Sequence, residues 1–232
     1  MKMKNKKAIE AEKRRQRKEE RRAKRKATPS FERGVPTMTE KPTILIVCEG
    51  QNTEPSYFKQ FRLSSATIKP IGEGYSTVSL VERTIEIAKR GKYDQVWCVF
   101  DKDDFGDFNE AIKLAEANNF GVAYSNQAFE YWIILHFDDH QGGGMHRDNY
   151  NKKINQLLKP FDLTYDGAKR KVITESLFEL LDGIDEKTGQ ERKRLAIKRA
   201  ERNYNKLDHV NPAKEESSTT VFRIVKELLK YI

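Results

Sequence analysis

The sequence predicts an α/β fold: a mostly parallel sheet flanked by helices, preceded by a disordered basic N-terminal arm and followed by a helical C-terminal portion. Three observations carry this. Short β-branched apolar runs alternate with stretches of helical spacing between about residues 43 and 137, the pattern of strands joined by right-handed crossovers. Beyond Gly142-Gly143-Gly144 the apolar spacing is helical only. Ahead of residue 41 there is almost nothing apolar to pack, and the charge is one-sided.

The elements follow in order. Lys2 to Lys26 is nearly all charged, and Thr28-Pro29-Ser30 and Gly34-Val35-Pro36 punctuate its end, so residues 1–40 are expected to form a flexible arm. Thr43-Ile44-Leu45-Ile46-Val47-Cys48 is a continuous apolar run, as in a strand covered on both faces. A helix is expected over about Thr53–Arg62, a short strand over Thr67–Ile71, and a helix over Val78–Arg90 with Val78, Val81, Ile85 and Ala88 near helical spacing. The second buried run is Gln95-Val96-Trp97-Cys98-Val99-Phe100, ended by Asp101. A helix over Asp107–Asn119, a strand over Phe120–Tyr124 and an apolar helix over Phe129–Phe137 complete an α/β core of residues 41–140. Asn149–Lys159, Lys171–Leu181, Gln190–Lys206 and Thr219–Ile232 are the helical candidates of residues 141–232, which are expected to pack on that core.

Charge sharpens the division. Residues 1–30 hold fourteen Lys/Arg against four Glu, leaving thirty basic and thirty-one acidic residues for the rest of a chain whose net charge is +9. The body is neutral and the arm basic, so the arm is either a salt-sensitive phosphate-binding element or a solubilising charged tail. The absence of a long apolar stretch and of a secretory h-region predicts a cytoplasmic protein with no membrane span. Cys48 and Cys98 lie inside apolar runs and read as buried small hydrophobes, not as a disulfide or zinc framework.

In an open α/β sheet, functional groups gather at the carboxyl ends of the strands. Glu49-Gly50 follows the first run, with Glu54 at the start of the next helix; Asp101-Lys102-Asp103-Asp104 follows the second; Ser125-Asn126 and then Glu130 follow the third. Several carboxylates in one crevice repel, and a hard cation with oxygen ligands is the usual remedy. In extended Asp101-x-Asp103 both side chains leave on the same side, so one ion or two adjacent ions can be shared. The competing reading of each carboxylate is a loop residue or helix cap, with Asp104 or Asp107 capping the helix that follows and Glu54 favoured by its helix dipole. His136 has the setting of a core histidine and Trp132 that of a packing residue.

A Glu-Gly after the first strand and a strand ending in Asp-x-Asp resemble the Toprim domain, the metal-dependent catalytic fold of topoisomerases, bacterial primases and OLD-family nucleases. More closely, Ile46-Val47-Cys48-Glu49-Gly50 with Thr53-Glu54-Pro55-Tyr57-Phe58, the Asp101-Lys102-Asp103 box, Ser125-Asn126 with Phe129-Glu130-Tyr131-Trp132, Leu135-His136-Phe137, and Asn211-Pro212 with Ser218-Thr219-Thr220-Val221 resemble the RloB family. The resemblance implies a Toprim-like nuclease, similar to the AbiL abortive-infection proteins, acting in phage defence on RNA or DNA beside an AAA-type ATPase of the RloA kind. It implies Mg²⁺ (or Mn²⁺) held by Glu49, Asp101 and Asp103, with Glu54, Ser125 and Glu130 serving a second ion, and Glu49, Asp101, Asp103 and Glu130 as catalytic residues. A late lysine belongs to that arrangement; Lys169 and Lys171 are both candidates. Such an enzyme is expected to be latent when isolated, and self-association into a homo-oligomer stays open.

Other classes fare worse. The chain has no Gly-x-x-x-x-Gly-Lys-Ser/Thr loop, no zinc-protease or deaminase spacing among His136, His140, His146 and His209, and no Gly-x-Ser-x-Gly. Two alternatives remain: a metal-dependent nucleotidyl or sugar-nucleotide transferase, which also places Asp-x-Asp after a strand, and a non-catalytic nucleic-acid-binding subunit of an ATPase complex using the arm and Lys169-Arg170-Lys171.

Overall fold

A computed structural model describes residues 12–19, 41–70, 76–102 and 104–232 of the protein. The chain divides into two units, residues 1–40 and residues 41–232. In the first unit, residues 12–19 form a short exposed helix, α1. The remainder of the expected flexible arm, and Asp103, lie outside the described residues.

The second unit runs through β1 (Ile44–Cys48), α2 (Thr53–Lys59), β2 (Ala66–Pro70), α3 (Thr77–Lys89), β3 (Gln95–Asp101), α4 (Phe108–Ala117), β4 (Gly121–Asn126) and α5 (Glu130–Ile134). It continues through α6 (Arg147–Leu158), α7 (Glu175–Asp182), the two-residue strands β5 (Ile184–Asp185) and β6 (Gln190–Glu191), α8 (Arg192–Tyr204), β7 (Ser218–Thr219) and α9 (Val221–Leu228). The main sheet has the order β2-β1-β3-β4-β7, with the first four strands parallel and β7 antiparallel to β4. This is the α/β architecture, mostly parallel and flanked by helices, that the alternating pattern predicts.

All five residues of β1 are fully buried, as a strand covered on both faces requires. In β3 and β4 successive side chains divide between two cores, because strand periodicity is two. Val99 and Ala123 join the core formed with α2, α5, α6, α7, α8 and α9, while Cys98, Phe100, Val122 and Tyr124 join the one formed with α3 and α4. α9 buries Val221, Ile224, Val225 and Leu228, the face its spacing predicts.

Three local differences from the sequence reading have physical causes. The apolar helix expected over Phe129–Phe137 is regular only over Glu130–Ile134 and continues as turns. The helix expected from Lys171 begins at Glu175, because Thr174 Oγ1 accepts the Leu177 N–H at 3.2 Å and caps it there. The C-terminal portion is not purely helical: β5 and β6 form a hairpin, and β7 adds a fifth strand to the sheet. Two-residue strands are too short to leave a period-2 signature in sequence.

Candidate functional site: a carboxylate cleft at the sheet's switch point

From β1 the chain moves to β2 on one side and then to β3 on the other, so the seam between β1 and β3 opens into a crevice at their carboxyl ends. Register places Cys48 opposite Val99, and the Glu49 N–H donates to the Val99 carbonyl at 2.9 Å. The Glu49 side chain then crosses to the neighbouring strand, where its Oε2 accepts the Asp101 N–H at 3.1 Å. The Glu49 carboxylate is thereby held across the seam by the backbone that carries Asp101.

Glu54 enters from α2, whose first turn it occupies, and is 5% exposed. Pro55 at the third helical position lacks only an N–H that the first turn leaves unpaired in any case. Gly50 matters here for space, since a Cβ at that position would collide with the Glu54 carboxylate. Burial, followed by the charges of Glu130 and Glu49, raises the Glu54 carboxyl to about 7, against the opposing pull of its own backbone hydrogen bond and of Lys171. Glu130 opens α5 and accepts a 2.8 Å hydrogen bond from the Tyr165 hydroxyl on Oε1. Burial and the Glu130 charge push the Tyr165 phenol up, so it keeps its proton and remains a donor. Tyr165 also meets Thr53 Oγ1 at 3.1 Å, and Thr53 donates to the Lys171 carbonyl at 3.0 Å. These contacts tie the start of α2 to a loop more than a hundred residues later.

The result is a cleft of about 610 Å³, with Glu49, Glu54, Asp101 and Glu130 on its α/β side. Asp148, Tyr150 and Asn151 of α6, and the loop Gly167–Ala168 with Lys171, face it from the C-terminal portion. Lys171 is the one basic side chain among the described lining residues. Under the cleft, Tyr57 meets Phe58, Phe61, Phe129 and Phe178 edge to face at centroid distances of 5.4–5.6 Å, which fixes α2 against α7 and the loop before α5. Such pairs add about 0.5–1.5 kcal/mol each beyond area burial and give the carboxylates a rigid base.

Residues 44–228, from the first residue of β1 to the last of α9, match the family described as RloB-like protein. The chain belongs to the RloB-like family. Comparison with curated proteins and with solved structures yields no match.

In this RloB-like protein four of the six metal-site candidates, Glu49, Glu54, Asp101 and Glu130, face one cleft. Ser125 pairs in register with Asp101 on the neighbouring strand, but it is 1% exposed, its Oγ lies 3.0 Å from Thr219 Oγ1, and it is not among the lining residues. Asp103 falls outside the described residues, and among those described no three His, Cys, Asp or Glu side chains form a ready cation cage. The donor chemistry fits a hard cation nonetheless: every acidic group is an oxygen ligand, and the Glu54 carboxyl, raised first by burial and then by the charges of Glu130 and Glu49, lies close to other carboxylates.

His136 is fully buried, with Nδ1 against the Trp132 carbonyl at 2.9 Å and its ring edge-on to Trp132, and burial lowers its pKa to about 3. It is a neutral core residue, and Trp132, fully buried, is packing. Asp107 stands at the N-cap position of α4 without capping it; its Oδ2 accepts the Val78 N–H at 3.0 Å and joins α4 to the start of α3. Sequence reasoning missed Tyr150 and Asn151, which line the cleft, and Tyr165, which donates to Glu130. Each comes from a helix or loop with no local functional signature, and only the chain's return over the sheet brings them there. Between the two lysines left open, Lys171 lines the cleft and Lys169 does not.

Proposed function

We propose that this RloB-like protein is a metal-dependent nuclease that hydrolyses phosphodiester bonds of RNA or DNA, with Mg²⁺ or Mn²⁺ as cofactor. The observation that carries the reading is the convergence of Glu49, Glu54, Asp101 and Glu130 on one cleft at the switch point of a parallel sheet. A protein that merely bound nucleic acid would have no use for four carboxylates where phosphate must approach, unless a cation intervened.

Glu49 and Asp101 would hold the ion together with Asp103, and Glu54 and Glu130 are placed to complete its surroundings. The ion, when bound, supplies Lewis acidity and neutralises phosphate charge. The chain's own groups do the rest. Asp101's backbone N–H holds the Glu49 carboxylate in one orientation before substrate arrives. Tyr165 aims Glu130 by a hydrogen bond to Oε1, leaving Oε2 to position water or exchange a proton. Burial raises the Glu54 carboxyl to about 7, so a neighbouring cation is what would hold it as a carboxylate at neutral pH. Lys171 draws the phosphate into an otherwise acidic cleft. A role in phage defence, latency of the isolated enzyme and activation beside an AAA-type ATPase of the RloA kind belong to the same proposal and are supported by the family resemblance.

The decisive experiment is Mn²⁺ binding by calorimetry or EPR on the whole protein, with Glu49→Gln and Asp101→Asn beside it and folding checked by circular dichroism. Binding in the parent that weakens at least tenfold in either folded variant is the expected result. No binding at millimolar Mn²⁺, with or without nucleic acid, overturns the nuclease mechanism.

A further inference from the structure

Phe105 is a cleft residue that the carboxylate chemistry does not use. It sits in the loop between β3 and α4, is 47% exposed, and lines the same cleft as Glu49 and Asp101. Its exposure alone needs no explanation, but its place does: a half-exposed aromatic ring lining the cleft of a nucleic-acid enzyme is suited to meet the face of a base. Two amides lining the cleft also have groups that the fold does not use. Asn52 occupies the N-cap position of α2, where an Asn side chain ordinarily caps, yet it makes no cap hydrogen bond. Asn151 uses its Oδ1 twice, accepting from Gly167 N at 3.3 Å and from Asn155 Nδ2 at 3.1 Å. That fixes its orientation and leaves the Nδ2 amino group, which has no partner among the described residues, as the atom it can offer a ligand.

We propose that this cleft holds a nucleobase subsite for an unpaired nucleotide, with Phe105 stacking on the base and Asn151 and Asn52 meeting its polar edge while the phosphate lies toward the carboxylates. The proposal rests on the nuclease reading for the place of the phosphate and extends it to a substrate class, single-stranded RNA or DNA. Size supports this choice. The cleft, at about 610 Å³, is within the roughly 300–1,000 Å³ of pockets that enclose a compact organic ligand, which suits one or two nucleotides and not a duplex. The acidity supports it too: five of its lining residues are Asp or Glu, so backbone attraction alone cannot hold a strand there, and a neutral stacking contact supplies affinity that like charge does not oppose.

The test is binding of fluorescently labelled ten-nucleotide strands to the whole protein, in EDTA so that nothing is cleaved. Each RNA and DNA strand is compared with copies carrying one abasic position and with the blunt duplex. Phe105→Ala should weaken single-strand binding by about 5- to 150-fold, the span of one base–aromatic stack, and leave duplex binding unchanged. Phe105→Trp should restore the affinity. One abasic position should weaken the parent by a similar factor and have no further effect on Phe105→Ala, since the two changes remove the same contact. Phe105→Ala binding single strands as tightly as the parent, or losing single-strand and duplex affinity equally, overturns the subsite. Because the binding is read without metal, a Phe105-dependent single-strand preference in a protein that fails to bind Mn²⁺ would sustain the subsite and reject the nuclease mechanism.

Discussion

A buried histidine shows how one residue couples the fold to pH. His136 is held neutral at the bottom of the core, with a pKa of about 3 where 6.5 is ordinary, because charging the ring there would strip it of solvent. Between those values the unfolded chain binds a proton that the folded chain refuses, so its contribution to stability is full above about pH 6.5 and is lost as the pH falls toward 3. Thermal unfolding followed from pH 7 down to pH 4 should show a falling Tm whose slope is shallower in His136→Asn than in the parent; equal slopes would mean that other groups set the acid sensitivity. Glu54 has the opposite sense, its carboxyl raised by burial first and then by its acidic neighbours. Leu135-His136-Phe137 already has the setting of a core histidine in the sequence, and His136 is fully buried; which neighbours enclose the ring was not legible, because a motif does not state them.

The short strand β7 depends on side chains doing the work of backbone. Beside it, Thr220 Oγ1 accepts the Tyr124 N–H at 2.9 Å and donates to the Val122 carbonyl at 3.1 Å, while the Thr220 N–H donates to the Tyr124 carbonyl at 2.8 Å. A two-residue strand cannot satisfy the outer edge of β4 by ladder bonds alone, and a fully buried hydroxyl completes it. Thr220→Val keeps the shape and orphans two buried backbone groups, at about 1–3 kcal/mol for each. For a chain of this length that is roughly 2–4 °C in Tm per kcal/mol. An unchanged Tm by calorimetry would refute this account of the edge. Because β7 pairs Thr219 with Ser125, the same element explains why Ser125 faces a strand and not the cleft. Ser218-Thr219-Thr220-Val221 was visible in the sequence as a motif, yet its place at the end of the sheet needed the chain's return from the helical portion.

At the largest scale, charge separates into two regions of opposite sign. The arm of residues 1–30 carries an excess of ten positive charges, whereas the lining of the cleft is acidic except for Lys171. An arm that gathers nucleic acid without sequence preference complements a cleft that selects an unpaired nucleotide. If the arm contacts phosphates, the logarithm of affinity should fall with the logarithm of salt at a slope of about −0.7 to −0.9 per phosphate contacted. Replacing the Lys and Arg residues between positions 2 and 26 by Gln should flatten that slope in a fluorescence-anisotropy titration, and an unaltered slope would leave the arm as a solubilising tail. Among the described residues no helix is long and apolar enough to cross a membrane.

Four features were readable along the chain: the α/β alternation, the strands that carry Glu49, Asp101 and Ser125 at or just beyond their ends, the amphipathic face of α9 and the segregation of charge. All of these follow from local periodicity or composition, which a linear text preserves. It took the folded chain to make β1 and β3 neighbours on either side of a switch point, which brings Glu49 and Asp101 into contact. It also put Lys171 and not Lys169 in the cleft, turned Ser125 toward β7, brought Tyr150 and Asn151 into the lining and set Tyr165 against Glu130. The physical reason is the same each time: strand order and the return of the C-terminal portion are set by which apolar faces bury one another across more than a hundred residues, and spacing along the chain carries no record of that choice.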